Sequence, residues 1–161
     1  MKFGIDYHGV ITSNPTFFKK FNALLLQNHH IVTVLSGGHF KDVQSYLTQY
    51  NIPFSNIFSL LDMFQKRNMV TFYPDGSFFV ADNLWNSAKA KYCLEQHIDI
   101  HIDDSILYGT YFQTPFCLYT SNPQQCTLLK NNLSINFSQS PEKVLADIQK
   151  VLKNQFNIAD V

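Results

Sequence analysis

Acids and a glycine-backed serine stand at the ends of short apolar runs in this 161-residue chain. The first run, Met1 to Ile5, stops at Asp6 and is followed by Tyr7-His8-Gly9. A second, Ile31-Val32-Thr33-Val34-Leu35, stops at Ser36-Gly37-Gly38, and a later one, Ile98-Asp99-Ile100-His101-Ile102, stops at Asp103-Asp104. Lys89 and Lys91 lie in the segment that feeds this last run. In an α/β fold, ligands bind outside the carboxyl ends of the strands, so these residues are expected at one edge of one sheet. Carboxylates converging there repel one another unless a divalent cation sits among them, and an all-oxygen site with open positions suits Mg²⁺. A hydroxyl backed by two glycine amides supplies neutral donors for phosphate oxygens, and a lysine neutralises charge on the reacting group. Together these parts describe phosphoryl transfer.

The elements needed to position them are legible in outline. Asn14-Pro15 opens a helix with a cap residue and a proline at its first position, and Phe17, Phe18, Phe21, Leu24 and Leu25 recur at helical spacing. Strand, helix and strand in this order form a βαβ unit, whose right-handed crossover makes the two strands parallel. A second helix is predicted from His39 to Tyr50, and a third from Asn86 to Gln96, which places Lys89 and Lys91 near its start. Residues 56–68 are ambiguous. Val70 to Val80, with Pro74-Asp75-Gly76 at its centre, reads as a β-hairpin whose Phe72, Tyr73, Phe78 and Phe79 are expected mainly in the core, with base stacking as the other reading. Phe116 to Tyr119 reads as a strand, Pro123 to Lys130 as a short helix, and Ser140-Pro141 as the opening of a last amphipathic helix. The expected architecture is a single three-layer α/β domain, 1–161, Rossmann-like, with a mostly parallel central sheet and a small hairpin insertion at about 53–83.

Phe3 to Thr12 resembles motif I of the haloacid dehalogenase-like superfamily of phosphohydrolases, and Val32 to Ser36 resembles motif II. Lys89 fits motif III, and Ile98 to Ser105 resembles motif IV. The resemblance covers Met1 to about Tyr119, with the motifs in the family's order. It implies a Mg²⁺-dependent phosphatase in which Asp6 is both nucleophile, forming an aspartyl-phosphate, and metal ligand. The backbone carbonyl of His8, with Asp103 and Asp104, would complete the protein ligands of Mg²⁺. Ser36 and the amides of Gly37 and Gly38 would hold the phosphate, and Lys89, or alternatively Lys91, would neutralise Asp6 and the transferring group.

His8 departs from the family's pattern, which carries a second aspartate at that position as acid and base. A histidine there is a candidate for the same proton transfers, for contact with substrate, or for a structural role. The departure also motivates an alternative, a non-catalytic phosphate- or protein-binding module of the same fold. A phosphoacceptor receiver domain is disfavoured, because its paired acids belong on the first strand.

The segment between the first two motifs is used up by one helix, and that between the second and third holds one helix and the hairpin, so any cover over the site is small. An open site suits a small-molecule or nucleotide phosphate ester, or a nucleic-acid end. Twelve basic and twelve acidic residues cancel, which removes global steering toward nucleic acid or an anionic membrane. There is neither an apolar run of membrane length nor a signal-like segment, so a cytoplasmic protein without a membrane partner is expected. Cys93, Cys117 and Cys126 lack CxxC spacing and are expected as packing thiols. His39, next to the glycine loop, is a candidate substrate contact, and His101 is expected as a hydrogen-bonded strand residue.

Overall fold

β1 (Lys2–Asp6) is flanked by parallel neighbours on both sides, β2 (Ile31–Ser36) and β6 (Ile100–Asp103). The computed structural model of the protein describes residues 1–157; positions 158–161 of the expected domain lie outside the described residues. Within them the chain is an α/β domain built on a seven-stranded sheet of order β3-β2-β1-β6-β7-β8-β9, with β3 (Asn56–Ser59), β7 (Phe116–Ser121), β8 (Gln124–Leu128) and β9 (Ser134–Asn136). The first five are mutually parallel, and β8 and β9 extend the sheet antiparallel. The layout is compatible with a Rossmann-like arrangement. The chain leaves β1 toward β2 and β3, then returns to β6 on the other side of β1. The crevice between the ends of β1 and β6 is therefore a topological switch point.

Strand alternation sends successive residues to opposite faces. Phe3 and Ile5, Val32 and Val34, and Ile100 and Ile102 face a core with α1 (Pro15–Gln27), α2 (Phe40–Gln49) and α6 (Pro141–Asn157). In α1 the Asn14 side chain accepts the Phe17 N–H at 3.0 Å and Pro15 takes the first position, as the sequence predicts. Its Phe18, Phe21 and Leu25 are fully buried, each worth about 1.5–3 kcal/mol of transfer free energy.

Gly4, Leu35 and His101 face the opposite way, toward α3 (Leu60–Lys66), α4 (Asp82–Glu95) and the short α5 (Ile106–Gly109), with Leu35 packing on Cys93 of α4. The ambiguous segment 56–68 is thus resolved as β3 and α3. Helix α4 begins at Asp82 rather than Asn86, its first-turn aspartate matching the positive end of the helix dipole. Lys89 consequently lies mid-helix, one turn from both Trp85 and Cys93.

Three further expectations are corrected. Pro123 to Lys130 is a turn followed by β8, because the segment pairs along β7 from Cys117↔Leu128 to Ser121↔Gln124. The hairpin forms as β4 (Thr71–Phe72) and β5 (Phe78–Phe79), but its aromatic rings are exposed, Phe72 at 48% and Phe79 at 53%, and are not core. Cys93 is a buried packing thiol as expected, whereas Cys117 and Cys126 meet sulfur to sulfur across β7 and β8. No helix among the described residues is long and apolar enough to cross a membrane.

Candidate active site

Asp6 ends β1 and Asp103 ends β6; the register pairs Ile5 with Ile102, so the two acids are the next residues on adjacent strands. Lys89 reaches down from α4 onto both. Its Nζ donates to Asp6 Oδ1 at 2.5 Å and to Asp103 Oδ2 at 2.6 Å, and all three side chains are nearly or fully buried. Lys91, two residues on, lies on the outer side of the helix, in a groove with Met63, Arg67 and Tyr92, and does not reach the acids. A buried lysine is costly unless paired, so the two carboxylates are what make this side chain tolerable on the inward face of α4.

Asp104, the next residue, is exposed at the mouth. Oxygens of Asp6, Asp103 and Asp104 lie within 4.8 Å of one another, three hard donors of the kind Mg²⁺ takes. The donor set fits that ion.

The acids are not electrostatically equal. Burial, with repulsion from Asp103, pushes Asp6 up to about 7 against the pull of Lys89. Burial acts on Asp103 too, but the hydrogen bond from His101 and the charge of Lys89 overcome it and hold Asp103 down to about 2. Asp104 is raised by partial burial and by Asp103. Lys89 stays charged, because its two carboxylate partners outweigh its burial.

The acids open onto a cleft of about 280 Å³ lined by Asp6, His8, Gly37, Lys89 and Asp104. Of the residues singled out from sequence, these five share the cleft, and Asp103 lies beneath it. Ser36 is fully buried behind it, where its Oγ accepts the Gly38 N–H at 3.0 Å. The Ser36-Gly37-Gly38 turn is braced further by Ser59, whose hydroxyl donates to Gly38 O at 2.7 Å. His39 points elsewhere: its Nδ1 meets Asp62 Oδ1 at 2.6 Å, while Asp62 Oδ2 caps α2 through Phe40 N–H at 2.7 Å. The His8 ring packs on Tyr7 at 4.5 Å between centroids and neighbours Gly38. Partial burial, then the charge of Lys89, lowers its pKa, so His8 is neutral at neutral pH.

Comparison of the chain with models of known protein families, with curated proteins and with solved structures finds no match. The geometry of the cleft therefore carries the functional reading.

Several members of the cleft carry no signal in the spacing of acids and lysines. Gly9 has φ +78°, and a Cβ there would run into the Asp104 carboxylate, so glycine is required on two counts. The Ser105 N–H donates to Asp103 Oδ1 at 2.9 Å. Tyr108 places its ring 4.8 Å from Lys89 Nζ, and its hydroxyl accepts from Trp85 Nε1 at 3.3 Å. Trp85 in turn lies beside Gly37 and 5.3 Å from the Phe78 ring, so aromatic surface runs from the lysine to the hairpin.

Proposed function

We propose that the protein is a Mg²⁺-dependent phosphomonoester hydrolase of the haloacid dehalogenase-like type, working through an aspartyl-phosphate on Asp6. The observation that carries this reading is Lys89 clamped between Asp6 and Asp103 at a switch point, with Asp104 completing a three-carboxylate cluster. A structural ion pair needs one acid for one lysine, whereas a second and third acid opening onto a cleft fit a site built for a cation and an anionic substrate.

In this mechanism an Asp6 oxygen attacks phosphorus, the P–O ester bond breaks, and the leaving group departs with that electron pair. Asp6, Asp103 and Asp104 would hold Mg²⁺, which when bound would neutralise charge on the transferring phosphoryl group. Lys89 keeps Asp6 oriented and balances its charge, and the turn at Gly37, which lines the same cleft, would meet the phosphate oxygens. Water then attacks phosphorus of the acyl phosphate; neutral His8 accepts its proton, and the P–O bond to Asp6 breaks to release phosphate and regenerate the carboxylate. A His8 that begins neutral favours substrates whose leaving group departs as a stable anion. The exposed rings of the hairpin, continuous with Trp85, favour a leaving group with a planar face, as in a nucleotide or a nucleic-acid end.

The test is hydrolysis of an aryl phosphate with and without Mg²⁺ by the wild type and by Asp6→Asn, with fluoroberyllate trapping alongside. Turnover that requires Mg²⁺ and disappears in the variant supports the reading. A protein that neither traps fluoroberyllate nor hydrolyses any of a broad panel of esters is the non-catalytic binding module instead.

A further inference from the structure

Asp103 is held by more than the lysine. Two residues earlier on β6, and so on the same face, His101 is fully buried with its Nε2 3.0 Å from Asp103 Oδ2. That oxygen also receives Lys89, while Oδ1 receives the Ser105 N–H. An ionised carboxylate only accepts, so Nε2 carries the proton, and the buried Nδ1 faces the Gly4 backbone without a well-formed hydrogen bond, so it is left as the unprotonated nitrogen. The ring is fixed from both sides. Phe112 lies parallel to it at 4.9 Å with an interplanar angle of 1°, and Phe116 meets it at 5.8 Å and 60°. On the neighbouring strand its register partner is Gly4, where an added Cβ would stand 2.8 Å from Nδ1. A central buried strand ordinarily favours β-branched residues, so this glycine makes room for the imidazole.

We propose that His101, seated against Gly4 and Phe112, is a positioning residue that fixes the rotation of the Asp103 carboxylate. With Oδ2 taken up by His101 and Lys89, Oδ1 keeps a lone pair for a cation shared with Asp6 and Asp104. The contact itself is independent of the proposed hydrolase activity; its consequence for the cation rests on that reading. Residues that orient a metal-ligating side chain typically govern metal affinity by about 10–100-fold.

The experiment combines two readouts on the full chain. In the metal-free wild type, a long-range ¹H–¹⁵N spectrum of the histidine rings should show His101 as the Nε2–H tautomer, with that resonance displaced in Asp103→Asn. Mn²⁺ binding, followed by electron paramagnetic resonance, should weaken by about 10–100-fold in His101→Leu and stay near wild type in His101→Gln, whose amide nitrogen reaches the place of Nε2. Gly4→Ala should weaken Mn²⁺ binding although every donor remains, and His101→Gln should relieve that loss in the double variant, since its amide presents no atom at the Nδ1 position. An Nδ1–H tautomer, or a folded His101→Leu that binds Mn²⁺ like the wild type, overturns the proposal. Should His101→Leu fail to fold, the Gly4→Ala pair decides: unchanged affinity in Gly4→Ala overturns it, and loss with rescue supports it. A wild type that binds no Mn²⁺ defeats the hydrolase reading, and the ring spectrum then decides the contact alone.

Discussion

Lys89 Nζ stands 2.5 Å from Asp6 Oδ1 although 83 residues separate them in the chain, and the pair is nearly buried at the floor of the cleft. Removing the cation leaves Asp6 and Asp103 facing each other without compensation. Lys89→Met is therefore expected to destabilise the metal-free protein by about 3–5 kcal/mol in chemical denaturation. The double variant with Asp6→Asn should lose less than the sum of the single changes, because the repulsion is already relieved. A loss in Lys89→Met below about 1 kcal/mol, the range of a surface pair, would show that the lysine is not neutralising buried charge.

The raised Asp6 and the depressed Asp103 set opposite pH dependences in the metal-free protein. Asp6, pushed from 3.8 to about 7, contributes stability that is fully present below 3.8 and lost as pH rises through 7. Asp103, held down to about 2, contributes stability present above 3.8 and lost as pH falls through 2. Thermal unfolding should accordingly show weaker metal-free protein at pH 8 than at pH 5 from these two groups, with Mg²⁺ restoring the loss at pH 8.

On the proposed reading, binding of the cation at Asp6 must expel the same proton. Mg²⁺ affinity should rise by about tenfold per pH unit below 7 and level off above it. Calorimetry in buffers of different ionisation enthalpy should register close to one proton released at pH 6 and almost none at pH 8.5. Release that does not change across this range would show that Asp6 does not titrate near 7.

His8→Ala should slow breakdown of the aspartyl-phosphate without preventing its formation. Rapid-quench kinetics on an aryl phosphate should then show a burst followed by a steady rate lower by about 10²–10⁴-fold. Loss of the burst itself would place His8 in the first step. Because burial and Lys89 lower its pKa, the fraction able to protonate a leaving group grows as pH falls, so alkyl phosphates should gain on aryl phosphates toward acid pH.

The hairpin rings tell substrates apart if the planar-group reading holds. Phe78→Ala with Phe79→Ala should change stability little, since these side chains are exposed at 38% and 53%. It should raise KM for a nucleotide, at about 1–3 kcal/mol per stacked ring, while leaving that for acetyl phosphate unchanged. Equal effects on both substrates would remove the hairpin from recognition.

How far this site could be read in advance depends on what each residue's signal is made of. Short, mostly apolar runs announce β1 and β2, and the residues at their ends follow directly. Lys89 and Lys91 are indistinguishable by type, but two residues are about 200° apart on a helix, so only one can face the sheet. Choosing it required the helix start, which Asp82 shifts by a turn. Gln124 to Leu128 carries little β-branched character, and it is pairing with β7 that makes it a strand. The aromatic run in the hairpin reads alike whether its rings are core or surface, because hydrophobicity alone does not say what covers them. Alternation placed His101 and Asp103 on one face of β6; that they touch, and that Gly4 makes room for them, depends on the neighbouring strand.

The placement of Asp6 and Asp103 on two adjoining interior strands also sets how the site is lost. β1 is hydrogen-bonded along both edges, whereas β4 and β5 pair over two residues each and hang at the surface. In hydrogen exchange the amides of β1 and β6 should open only with the whole domain, and those of the hairpin far sooner. Heat or denaturant would thus loosen the hairpin first, while the acids and their lysine stay assembled until the domain itself comes apart.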